Sequence, residues 1–99
     1  MNINNKKVLL DCTLRDGGYY NNWNYDKKIV KNYLNCIKNS GIQVVEIGFR
    51  FKKKEKFFGE FAYSNEKFLN SLNLPEGIKY AVMINAKEFI DNEDLLKKF

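Results

Sequence analysis

Apolar residues along this chain occur in three continuous runs, and between the runs they recur at helical spacing. Val8-Leu9-Leu10 is the first run, short and unbroken, as expected of a parallel strand covered on both faces. Gly17-Gly18 and the polar Asn21-Asn22-Trp23-Asn24 stretch that follow predict a loop. From Asp26 to Ser40 the period changes, and Ile29, Val30, Tyr33, Leu34 and Ile37 share one helical face. Asn24 or Asp26 can cap this helix, and Gly41 stands where a left-handed C-terminal cap is wanted. Val44 to Phe49 is the second run, broken only by Glu46. A long Lys- and Phe-rich loop, Arg50 to Tyr63, leads to a short helix from Ser64 to Leu72 that gathers Phe68, Leu69 and Leu72. Pro75-Glu76-Gly77 predicts a turn and Ile78 to Ile84 a third strand. Phe89-Ile90, then Leu95-Leu96 and Phe99 behind Asn92, predict a last helix.

Strand thus alternates with helix, and the first two strands begin about 36 residues apart, the length of a βαβ unit. The expected class is α/β with a parallel sheet and right-handed crossovers. Three such strands leave two sheet edges open, and the last helix has no stop signal. The chain therefore reads as the first three units of something longer.

Composition narrows the setting. At 44% hydrophobic and 29% charged residues in 99, the chain is globular and at most one domain. A net charge of +5 favours anionic partners without being extreme. Cys12 and Cys36 have no metal or redox spacing, and the N-terminus lacks a signal-peptide core. A cytoplasmic protein with no membrane association is expected. Histidine is absent, which removes the commonest general base and metal ligand.

The densest chemistry is Asp11-Cys12-Thr13-Leu14-Arg15-Asp16-Gly17-Gly18-Tyr19, directly after the first strand. As residues alone, Asp16 is a turn cap or a hard oxygen ligand for a cation. Arg15 is a salt-bridge partner of Glu46 or Asp11, or a positioned cation for developing negative charge. Glu46, a lone carboxylate in an apolar strand, needs a partner or a solvated strand end. Asp11 reads as a structural acceptor and Cys12 as a small buried side chain.

Asp11-Cys12-Thr13-Leu14-Arg15-Asp16-Gly17 resembles the D-x-T-L-R-D-G signature of the DRE-TIM metallolyase superfamily, and Val45-Glu46-Ile47-Gly48-Phe49 resembles the end of that family's second strand. The likeness is strongest to the 4-hydroxy-2-oxovalerate aldolase-like branch. It implies a (β/α)8 TIM barrel of about 250 residues, of which residues 1–99 would be the N-terminal, incomplete part. It also implies a carbon–carbon lyase, or a related Claisen-type acyltransferase, acting on a small 2-oxo acid through a metal-stabilised enolate. By that resemblance Asp16 is a ligand of Mg²⁺, Mn²⁺ or Zn²⁺, and Arg15 and Glu46 are catalytic. Arg15 and Arg50 would contact substrate. Tyr19 stands where aldolase members carry an acid/base histidine, with Tyr20 as the other candidate proton donor. The family's remaining metal ligands, an H-x-H pair, would lie on a late strand outside this sequence. The isolated chain is thus expected to be inactive, and the full-length parent is allowed to be a homo-oligomer. The competing expectation is a non-catalytic module that holds an anion, or less readily nucleic acid, through the basic loop 50–56 with Phe51, Phe57 and Phe58.

Overall fold

A computed structural model describes residues 7–52 and 54–88 of the chain. Its elements are β1 (Leu10–Asp11), α1 (Thr13–Asn21), α2 (Lys27–Lys38), β2 (Val44–Phe49), α3 (Glu66–Ser71) and β3 (Lys79–Met83). Short 3-10 turns occupy Glu60–Ala62 and Ala86–Glu88. The three strands form one parallel sheet in the order β1-β2-β3, with Leu10 opposite Val44 and Val44 opposite Lys79. The α/β class and the parallel sheet are as the hydrophobic pattern predicts.

β2 lies at the centre and is the most deeply buried strand, with Val45 and Ile47 fully enclosed. Leu14, Trp23, Val30, Leu34, Ile37, Phe61, Ala62, Phe68 and Ile78 pack around it as the core. Pairing with β3 slips between Glu46 and Gly48, so Ile47 is an extra residue on β2. Such a bulge bends a strand and re-aims the side chains that follow it. α2 begins with the expected cap, Asp26 Oδ1 accepting from Lys28 N at 2.8 Å. Gly41, at φ +88, turns the chain from α2 toward β2.

Four expectations change. Val8, Leu9 and Leu10 are not a buried strand: they are 64%, 55% and 51% exposed, and the strand is only Leu10–Asp11. β1 is an edge with β2 as its one neighbour, so nothing covers its outer side among the described residues. Leu9 still joins the pairing, its carbonyl accepting from Gln43 N and Val44 N and its N–H bonding Gln43 Oε1. The glycine pair does not open a loop, because both glycines lie inside α1. Ile29 does not share the buried face of α2 and is 65% exposed. The helix predicted over 64–72 is shorter, with only Phe68 of its apolar trio fully buried. Phe89-Ile90 and the helix expected near Leu95 and Phe99 lie outside the described residues. No helix among the described residues is long and apolar enough to cross a membrane.

Candidate active site

β1 ends in Asp11 and α1 starts at Thr13, at the C-terminal end of the sheet, so Arg15 and Asp16 ride on the first turn of the helix. Gly17 and Gly18 each weaken a helix interior by roughly 0.5–1 kcal/mol relative to alanine. Their presence is explained by packing. A Cβ on Gly18 would stand 1.9 Å from Trp23 Cδ1, and one on Gly17 would stand 2.9 Å from the Tyr25 hydroxyl. The helix instead draws its stability from groups aimed at it from elsewhere. Cys12, at the cap position, offers no side-chain bond. Asp11 takes over, its Oδ1 accepting from Thr13 N at 3.0 Å and its Oδ2 from the Thr13 hydroxyl at 3.1 Å. The Tyr33 hydroxyl, from α2, donates to the same carboxylate.

Burial alone would raise the Asp11 carboxyl, but the bonds from Tyr33 and Thr13 outweigh it and hold Asp11 below its ordinary value of 3.8. Asp11 is thus the structural acceptor that the residue pattern indicates. Two further donors reach carbonyls of the motif itself: the Tyr25 hydroxyl bonds Leu14 O at 2.8 Å, and the Trp23 indole N–H bonds Arg15 O at 2.9 Å.

Arg15 and Glu46 meet. Arg15 Nε donates to Glu46 Oε2 at 2.6 Å, with the two side chains only 24% and 9% exposed. Glu46 is the residue after Val45, which pairs with Asp11, so adjacent strands bring the two groups together. The hydrogen bond to Glu46 raises the Arg15 guanidinium above its ordinary value, outweighing the opposing effect of burial. A cation held this way stays charged at every physiological pH and points in one direction.

Asp16 follows on the exposed side of the first turn, and its charge also contributes to the raised Arg15 value. No group of three or more His, Cys, Asp or Glu side chains that could hold a metal is found among the described residues. Asp16 is therefore a single accessible carboxylate, of a donor type that suits a hard cation, and does not make a complete site. Tyr19 lies one helical turn beyond Arg15, on the same face of α1. It is 62% exposed, and its ring meets Trp23 edge-on at 4.8 Å. Tyr20 is 93% exposed.

Beyond β2, Arg50 Nε donates to Ser64 O at 3.0 Å, and Arg50 N bonds Met83 O. Arg50 is thus seated between the end of β3 and the turn before α3. In the basic loop, Lys52, Lys54 and Lys56 are exposed. Phe51 is stacked on Phe49 at 4.4 Å, and Phe58 meets Trp23 at 5.0 Å. Phe57, 62% exposed, remains at the surface. A cleft of about 270 Å³, lined by Phe51, Glu55, Phe58, Asn85 and Glu88, opens past the ends of β2 and β3.

The residues that sequence patterns miss are the aromatic donors. Trp23 reads only as part of a loop and Tyr33 only as a helix-face aromatic, and Tyr25 between them carries no reading at all. Their sole sequence signal is a polar tip on a large apolar body, which needs an acceptor once buried.

The chain matches no family model and no curated protein. Among solved structures it is similar to one from Bacteroides vulgatus described as the "N-terminal domain of a putative aldolase", at 38% identity and a TM-score of 0.74. The match covers 86% of this chain and 30% of that one, so this chain spans less than a third of its neighbour's length. The fold of three parallel strands in one sheet is that of the N-terminal part of an aldolase domain.

Proposed function

We propose that the chain is the N-terminal portion of an aldolase-type carbon–carbon lyase of the DRE-TIM kind, built as a (β/α)8 barrel and working in the cytoplasm. Its substrate would be a small 2-oxo acid, processed through an enolate. The observation that carries this reading is the 2.6 Å Arg15–Glu46 pair, which holds a guanidinium beside Asp16 at the C-terminal end of a parallel sheet. That end is where α/β barrels place their chemistry. The likeness to an aldolase N-terminal domain supports it.

In this reading Arg15 binds the substrate's 2-oxo oxygen and stabilises the negative charge that grows there as the carbon–carbon bond breaks. Glu46 fixes the guanidinium. Tyr19, one turn away and open to solvent, hands a proton to or from the departing fragment. Arg50 meets the substrate carboxylate. Asp16 would hold a divalent cation together with ligands from outside these 99 residues. Such a cation supplies Lewis-acid stabilisation of the enolate.

The test uses the full-length parent, assayed for release of a 2-oxo acid. Arg15→Ala is expected to lower kcat by about 10²–10³-fold, the usual cost of losing one such electrostatic contact. Asp16→Asn is expected to abolish saturable Mn²⁺ binding. Unchanged turnover in Arg15→Ala would refute the assignment. The 99-residue chain alone is expected to show no turnover.

A further inference from the structure

We infer that Trp23 is the positioning residue for Arg15: its indole N–H, bonded to the Arg15 carbonyl, fixes the backbone from which the guanidinium is presented. The inference rests on the proposed role of Arg15 and adds a residue that the motif does not contain.

Glu46 anchors only the far end of the Arg15 side chain. The near end depends on α1, a nine-residue helix with two interior glycines and no side-chain cap from Cys12. Left to itself such a helix is weak. Trp23 supports it at the residue that matters, through the 2.9 Å bond to Arg15 O and a ring laid flush on Gly18.

The indole is itself immobilised. It is 3% exposed, and four rings surround it edge-on: Tyr19 at 4.8 Å, Phe49 at 5.4 Å, Phe51 at 5.5 Å and Phe58 at 5.0 Å. Its backbone lies at φ +56, directly after Asn22 at φ +58. A left-handed conformation is uncommon for a bulky residue and persists only where the surroundings over-determine it. They do so here. Gly59 N–H bonds Asn22 O at 2.8 Å, and a Cβ at Gly59 would stand 2.4 Å from Trp23 O. Any buried tryptophan needs an acceptor for its N–H; here the acceptor is the carbonyl of Arg15, and the left-handed backbone at Trp23 is what aims the indole there.

The experiment reads Arg15 directly, by NMR exchange of its Nε–H with solvent in the full-length protein. Trp23→Phe keeps most of the ring and removes the donor. Arg15 Nε–H is expected to exchange about fivefold faster, the factor that loss of one ordinary hydrogen bond gives. Phe49→Leu, which loosens the same aromatic cluster but keeps the N–H to the Arg15 carbonyl, is expected to change that rate by less than Trp23→Phe does; an equal change would assign the effect to ring packing and overturn the inference. Should Trp23→Phe not fold, the benzothienyl analogue of tryptophan at position 23 removes only the N–H and is read in the same way. An Arg15 rate unmoved by loss of the N–H would overturn the inference. The rate does not depend on catalysis. A faster rate alongside normal turnover in Arg15→Ala would sink the lyase reading and leave the positioning intact.

Discussion

Replacing Gly48 by alanine tests the geometry that joins β2 to the site. Gly48 has φ +158, and a Cβ there would lie 2.2 Å from the carbonyl oxygen of Phe61. A carbon and a carbonyl oxygen pack no closer than about 3.3 Å, so β2 and the Glu60–Ala62 turn must separate by about 1 Å. Two hydrogen bonds span that gap: Phe51 N to Ala62 O at 2.9 Å and Arg50 Nε to Ser64 O at 3.0 Å. Stretched by about 1 Å, both leave hydrogen-bonding range. Their combined loss is about 3 kcal/mol, one neutral bond and one to a charged group. Alanine's smaller freedom in the unfolded chain offsets about 0.7 kcal/mol of this, leaving a net loss of about 2 kcal/mol before the backbone strain of a side chain at φ +158 adds to it. With a urea m-value of about 1.5 kcal/mol per molar, the unfolding midpoint falls by about 1.3 M. Trp23, the only tryptophan, reports the transition by fluorescence. Gly77→Ala is the control: its φ is +88 but nothing lies within 4 Å, so only backbone strain is added and the fall should be smaller. A Gly48→Ala midpoint within about 0.3 M of the parent, or at least as high as that of Gly77→Ala, would refute the reasoning.

Three further outcomes are expected. Asp11 is held below its ordinary 3.8, so its contribution to stability is present above that pH and is lost as pH falls through the lower folded value. Tyr33→Phe removes the strongest of the bonds that lower it and should flatten the acid limb of stability, followed by circular dichroism. Glu46→Gln keeps an acceptor for Arg15 but removes the charge, and should cost about 1–2 kcal/mol in urea unfolding, with Glu46→Ala costing more. Single-stranded RNA should not shift in a gel at physiological salt, because Phe51 and Phe58 pack inward rather than forming a stacking platform. A shift abolished by neutralising Lys52, Lys54 and Lys56 together would favour the anion-binding reading instead.

Local patterns announced some of this and concealed the rest. α2 was legible because its cap and apolar stripe are both contiguous in sequence. Glu46 was legible because a single charge in an apolar strand demands a partner, and Arg15 is that partner. α1 was not legible. Its glycines carry a loop signal locally, yet they are there to admit Trp23 and Tyr25, a tertiary reason that no window of sequence displays. Val8 to Leu10 misleads in the opposite sense, since a continuous apolar run cannot show whether a neighbouring strand is present to cover it. Ser64 read only as the start of a helix. It is fully buried at φ +31, with its carbonyl bonded to Arg50, and only the folded turn explains it.

The contacts of Trp23 also bear on how this chain can change over evolutionary time. Gly18 has no room for a Cβ because the indole occupies that space, whereas Gly59 has none because the backbone of Trp23 and Asn24 does. Gly18 and Trp23 are therefore one unit of inheritance. In a lineage that replaces Trp23 by a small residue, Gly18 is released to drift and a helix-favouring alanine there becomes an advantage, while Gly59 stays bound by the backbone opposite it. Where the tryptophan stays, Gly18 cannot change first.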